Sequence, residues 1–257
     1  MEGNGTRGIK MIQNYKMLLA FDGTRYLGWE KQQNTDMTIQ GKIEAVLEKM
    51  TGAPVDVIAC GRTDAGVHAK GMVANVHLET EMTTKEMLSY MNHYLPDDIC
   101  VREVSVASER FHSRYNATGK TYCYTCYVGE FKPLFDRKYV YVIDQELDLE
   151  QMKKAAEYLM GEHDFASFCA NKKMKKSTVR IVDKIDIVRK GEYLYLTFHG
   201  NGFLHHMVRI LTGTLLEVGM GKRAAESMVA LLEAKNRAKA GVTAPAQGLC
   251  MVKVDYQ

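Results

Sequence analysis

No apolar run in this 257-residue sequence comes close to the length of a membrane span. The opening stretch "MEGNGTRGIKMIQNYK" is polar and glycine-rich and lacks the apolar segment of a secretion signal. There is no GKS or GKT phosphate loop, and no second C-x-x-C completes a zinc site with Cys123 and Cys126. These gaps argue against a membrane protein, a secreted disulfide scaffold, a P-loop enzyme and a zinc ribbon. What remains is ordinary for a globular cytoplasmic protein, with 46% hydrophobic and 25% charged residues. The six cysteines are expected to be reduced thiols. In "TYCYTCYV", residues three apart on a strand face opposite ways, which suits neither a metal knuckle nor a redox turn.

The net charge of +3 conceals an asymmetry. Residues 1–150 carry 17 Lys+Arg against 21 Asp+Glu, whereas residues 151–257 carry 17 against 10. The basic half contains "NKKMKKSTVR", where Lys172, Lys173, Lys175 and Lys176 fall within five positions. Such a run is either a solvated loop or a phosphate-facing patch, and charge alone does not choose between them.

The hydrophobic pattern predicts a repeated order of elements. In the first half it predicts a strand (Lys16–Phe21), a helix (Thr38–Met50), two strands (Val55–Cys60 and Met72–Leu78), a helix (Thr83–Tyr94) and a strand (Ile99–Val106). Ile39, Ile43, Val46, Leu47 and Met50 recur at helical spacing behind Thr38, a good N-cap. The second half predicts a strand (Thr121–Val128), a helix (Leu149–Met160) and strands at Arg180–Arg189 and Tyr193–Phe198. A long helix (Phe203–Val218), a short one (Ala224–Ala234) and a strand (Leu249–Val254) complete it. Each half approximates β-α-β-β-α-β. The expected fold is therefore α/β (α+β): two pseudo-repeated split-βαβ, ferredoxin- or RRM-like halves sharing a mostly antiparallel sheet, with a cleft between them. The expected division is a tail at 1–14, an N-terminal catalytic subdomain at 15–110 and a C-terminal subdomain at 111–257.

Three stretches carry chemistry. "CGRTDAGVHAKG" (Cys60–Gly71) sets Asp64 beside Arg62 on a glycine-punctuated loop. The plain reading is an Asx-turn or cap with a surface ion pair. The catalytic reading is that Arg62 keeps Asp64 ionised, since an aspartate ordinarily titrates near about 3.9 and a neighbouring guanidinium lowers that. Such a carboxylate is a nucleophile or a stabiliser of an electron-poor carbon, not a general acid. Gly61, Gly66 and Gly71 argue against a continuous helix here. In "NATGKTYCYTCYV", Tyr122, Tyr124 and Cys126 alternate on one strand face, as core filler or as a stacking platform. In "GNGFLHHMVRI", His205 and Arg209 stand one helical turn apart, and Arg209 can reach a carboxylate across the groove. The adjacent His205 and His206 would diverge by about 100° on a helix and could not comfortably share an ion.

These stretches together resemble the tRNA pseudouridine synthase A family. "GRTDAGVHA" at 61–69 is similar to its signature, "FDGTRYLGWEKQ" to its opening strand and loop, and "FHSRYNATGKTYCY" to its second motif. "NGFLHHMVRILTGTLLEVG" is similar to its third motif and "APAQGLCMVKVDY" to its closing strand. They follow in family order from about Tyr15 to Tyr256. The resemblance implies isomerisation of uridine to pseudouridine in the anticodon stem-loop of tRNA, at the positions conventionally numbered 38 to 40. It implies Asp64 as the catalytic aspartate, paired with Arg209. Tyr122 would stack on the target base and is a candidate for the last proton removal. Arg62, Leu249 and His205 would contact substrate, and Arg25, Trp29 and the lysines at 172, 173, 175 and 176 would contact RNA. It further implies a homodimer with tRNA across both subunits, no metal and no cofactor. Glu30, Lys120-Thr121 and Cys250 depart from common family residues, and none belongs to the implied catalytic set. Two rivals are an RNA-binding protein without catalysis and a metal-dependent hydrolase using Asp64 and His68.

Overall fold

A computed structural model describes residues 12–171, 174 and 176–257. The first half runs β1 (Gln13–Phe21), α1 (Ile39–Thr51), β2 (Ile58–Ala59), β3 (His68–Leu78), α2 (Thr84–Tyr94) and β4 (Ile99–Val106). The second runs β5 (Ala117–Val128), β6 (Tyr141–Ile143), α3 (Leu149–Leu159), β7 (Gly161–Asp164), β8 (Val179–Lys190) and β9 (Tyr193–Gly200). It ends with α4 (Met207–Gly219), α5 (Ser227–Ala234) and β10 (Leu249–Tyr256).

All ten strands join one sheet. Within it, β4-β1-β3-β2 and β10-β5-β9-β8 have the same spatial order relative to their place in each half. That equivalence is the internal repeat expected from the sequence. The halves meet where β10 lies parallel to β3, Cys250 opposite His68 and Met251 opposite Ala69. Most other pairings are antiparallel, β5 with β6 excepted. The junction needs two backbones very close together. A Cβ on Gly71 would lie 2.2 Å from the Val252 carbonyl oxygen, a contact no other residue could make without moving one strand.

The helices form where their caps and periodicity place them. Thr38 Oγ1 accepts the Gly41 N–H at the start of α1, and Ile39, Ile43, Val46 and Leu47 are buried. Thr83 and Glu86 cap α2 reciprocally. On β5, Tyr122, Tyr124 and Cys126 are buried, while Cys123 and Thr125 are half-buried on the other face. Cys123 and Cys126 therefore point apart, and all six cysteines are free.

Three expectations need correction. The strand expected at Val55–Cys60 shrinks to two residues. Val57 donates its N–H to the Glu44 carboxylate and its carbonyl accepts from the Gln40 amide, so α1 ties down that segment instead of the sheet. The helix expected from Phe203 starts at Met207, because His206 is in the left-handed conformation with φ 60°. The short strands β6 and β7 were not expected.

Candidate active site

A cavity of about 550 Å³ opens between the halves, where the β2–β3 loop faces β5, the start of β10 and the turn before α4. Asp64, Tyr122, His205 and Leu249 all line it. Two loops position Asp64. Trp29 donates its backbone N–H to the Thr63 carbonyl at 3.1 Å, and Gly66 donates to Tyr26 at 3.2 Å. Gly28 allows this clasp. Its φ is +98°, and a Cβ there would sit 2.7 Å from the Thr63 oxygen. The loop after β1 thus holds the aspartate's loop through backbone hydrogen bonds, with an Arg62–Glu30 ion pair beside them.

Arg209 closes the site from the other half. Its Nη1 donates to Asp64 Oδ2 at 2.9 Å and its Nε to the Ala244 carbonyl at 2.8 Å. The guanidinium is 14% exposed and the carboxylate 25%. Such a pair is shielded enough to fix direction, yet leaves carboxylate lone pairs facing the cavity. His206 Nε2 lies 3.3 Å from Oδ2, and His205 Nε2 lies 3.7 Å from Oδ1. Burial lowers the basicity of His206, against the raising effect of the Asp64 charge.

Arg62 does not pair with Asp64. It is 64% exposed and forms its ion pair with Glu30, one of the residues that depart from the family pattern. Asp64 is therefore held by Arg209, not by its sequence neighbour. Its side chain accepts from Arg209 across the groove, which is not the local contact an Asx-turn would need.

Tyr122 forms part of the cavity wall, edge-on to Phe203 with ring centroids 5.3 Å apart. Burial, reinforced by the Asp64 charge, holds its phenol far above the usual tyrosine range. In the resting site it is a neutral aromatic surface rather than a ready base.

The cavity wall is strongly cationic. Arg62, Arg114, Lys120, Lys176 and Arg180 line it, and Asp64 is the one carboxylate among the described lining residues. Lys120 donates to the Cys60 carbonyl at 2.8 Å, and burial lowers its pKa. Arg114 and Arg180 were missed in the sequence, where isolated arginines carry no signal without the fold that gathers them. Lys172, Lys173 and Lys175 lie outside the described residues.

Other expected contacts fall elsewhere. Trp29 is 2% exposed and packs near Phe21, centroids 6.2 Å apart. It is a core residue with no face to offer RNA. Arg25 is exposed and paired with Asp98 at 2.6 Å, and it is absent from the cavity wall. The glycines of 61–71 serve the protein's own backbone. Gly66 turns the chain at φ +78° and Gly71 admits β10, while Gly61 alone borders the cavity. His68 lines a second cavity, about 620 Å³, made of an entirely different set of residues. Its Nδ1 accepts the Gly23 N–H at 3.0 Å. An Asp64–His68 metal pair is thereby removed.

Sequence comparison places the chain among known proteins. A family model described as tRNA pseudouridine synthase matches residues 17–116 and 155–257. "tRNA pseudouridine synthase A" of Bacillus sp. (strain KSM-64) is 44% identical over 95% of this chain and 100% of its own length. "tRNA pseudouridine synthase A 1" of Clostridium tetani (strain Massachusetts / E88) is 46% identical over the same shares. Among solved structures, a chain of a Cbf5-Nop10-Gar1 complex is 13% identical with a TM-score of 0.37, over 92% of this chain and 48% of that one.

Proposed function

The chain belongs to the tRNA pseudouridine synthase A family, and from that premise we propose that it isomerises uridine to pseudouridine in the anticodon stem-loop of tRNA, at positions 38 to 40, with Asp64 as nucleophile. The observation that carries this reading is a carboxylate, aimed by Arg209, in a cavity where it is the one acidic group among the described lining residues and five Lys and Arg side chains share the wall.

The chemistry asks for little else. The base leaves its ribose, turns and rejoins through carbon, so atoms and charge balance without a redox partner or energy source. One carboxylate suffices because no group departs for good, whereas a glycosidase needs an acid and a second carboxylate. The target base must leave its stack at a cost of about a few kcal/mol. Arg62, Arg114, Lys176 and Arg180 offset that cost through phosphate contacts, and Tyr122 and Leu249 supply an apolar seat for the base. His205, at the cavity mouth, contacts the substrate.

The chain works in the cytoplasm as a homodimer across which the tRNA lies, its division into subdomains falling near residue 110. The exposed side chains of Phe131, Leu134 and Phe135 support a protein contact of this kind.

Asp64→Asn tests the central point. It should abolish pseudouridine formation in tRNA, read by primer extension on carbodiimide-treated RNA, while tRNA binding survives. Pseudouridine made by that variant at the wild-type rate would overturn the assignment.

A further inference from the structure

We propose that Asp64, His205 and His206 form a binding site for a first-row transition-metal ion, zinc foremost, and that its occupation shuts the active site. The inhibitory half rests on the role given to Asp64 above, and the binding half does not.

The observation is a convergence that a regular helix would forbid. Adjacent histidines on a helix point about 100° apart. Here the helix has not begun, and the left-handed backbone of His206 folds its ring onto that of His205, centroids 3.9 Å apart. Histidine tolerates that conformation better than most residues. Both Nε2 atoms then face one carboxylate, each near a different oxygen, at 3.7 Å for His205 and 3.3 Å for His206. One ligand atom from each of the three residues lies within 4.8 Å of the others.

The two histidine–carboxylate separations are close to what an ion needs. Zinc–nitrogen and zinc–oxygen bonds of about 2.0–2.2 Å place tetrahedral ligands roughly 3.3–3.5 Å apart. Two imidazoles and a carboxylate are a suitable donor set, with the cavity open for water at the fourth position. His205, 53% exposed, has room to complete the approach. Arg209 occupies Oδ2, but a carboxylate has about four lone-pair sites and the guanidinium takes one. Its charge opposes a dication, which makes the site a weak, reversible one. A metal there would cover the cavity-facing side of the carboxylate and withdraw the negative charge that the aspartate needs for attack.

The test is a titration of the untagged, metal-free chain with Co²⁺ in the absence of tRNA, read by visible absorption. Co²⁺ stands in for spectroscopically silent zinc. The expected result is a d–d band that Zn²⁺ bleaches, with affinity weakened about tenfold or more in both His205→Gln and His206→Asn. Asparagine also tolerates the left-handed backbone, so the second variant keeps its fold. No binding, or binding unmoved in both variants with a thiolate-to-cobalt charge-transfer band, would overturn the site. In a second arm, pseudouridine formation is compared with Zn²⁺ and after a chelator. Zinc should inhibit reversibly, and His205→Gln should need about tenfold more zinc relative to its own metal-free rate. Equal zinc sensitivity in that variant would overturn the switch. A metal-free wild type without activity would instead sink the functional reading and leave the cobalt result to decide the site.

Discussion

Arg209→Met removes the guanidinium and keeps most of the stem. The pair it breaks spans 145 residues of sequence, so its loss touches both halves at once. An exposed ion pair contributes about 0–1 kcal/mol, and breaking a buried one costs about 3–5. Arg209 is 14% exposed and Asp64 25%, which puts this pair between the two, at about 1.5–3 kcal/mol. That figure includes the Ala244 carbonyl left without its 2.8 Å donor. For a chain of this size each kcal/mol moves the melting midpoint by about 2–4 °C, so the midpoint should fall by about 3–12 °C.

Catalysis should suffer more than stability. A carboxylate displaced by about 1 Å loses about a hundredfold in rate. Single-turnover tritium release from 5-tritiated uridine in tRNA, measured well below the variant's melting midpoint, should show a rate at least about a hundredfold lower. Affinity for tRNA should change little, because Arg209 faces the aspartate and not the basic wall. Arg209→Lys should be intermediate, since one ammonium cannot reach both Asp64 and Ala244 with the guanidinium's fork. A melting midpoint within a degree of wild type together with a rate within threefold would refute the reasoning.

Three further outcomes follow from the structure. Trp29→Phe should lower stability by about 1–3 kcal/mol in a denaturant titration and leave tRNA affinity unchanged, since Trp29 is core; weaker binding at unchanged stability would make it an RNA contact after all. Arg114→Glu and Arg180→Glu should each weaken tRNA binding and reduce the slope of log affinity against log salt by about one, and parallel salt plots would return those residues to mere surface. Burial holds His68 below its ordinary value near 6.5, against the opposing charge of Asp22. The unfolded chain therefore binds the proton first, so stability present above pH 6.5 is lost as pH falls from there toward the folded value. In His68→Asn, whose amide oxygen can still accept from Gly23, thermal midpoints between pH 7 and 5 should fall less steeply, and identical slopes would dismiss His68 as the source.

Local patterns made most of the fold legible. The α1 repeat behind Thr38, the helix expected at Thr83–Tyr94 and the strand Ile99–Val106 each depend on side chains within a few residues, and each appears within a residue of where the pattern placed it. The elements that escaped depend on distant partners. β6 and β7 span three and four residues, too few to show alternation, and exist because β5 and β8 offer free edges. Val55–Cys60 has strand-forming residues, yet Glu44 and Gln40 on α1 take the backbone groups of Val57. Nothing within the segment announces that competition.

The site divides along the same line. Asp64, Tyr122, Arg209 and Leu249 were each visible inside a motif, and family resemblance suggested they belong together. Their geometry was not visible, because proximity in sequence misdirects twice. Arg62 sits two positions from Asp64 and pairs with Glu30 instead, while Arg209 reaches Asp64 from the far half. The two histidines mislead the other way. Assigning His205 and His206 to a helix separates their rings, and the separation disposes of any shared ligand. One left-handed residue reverses that conclusion: with His206 at φ 60° the helix starts at Met207 and both rings turn toward the aspartate. A helical period read from the sequence is an average over a whole element. The chemistry at its first turn depends on a single backbone conformation, which the average does not contain.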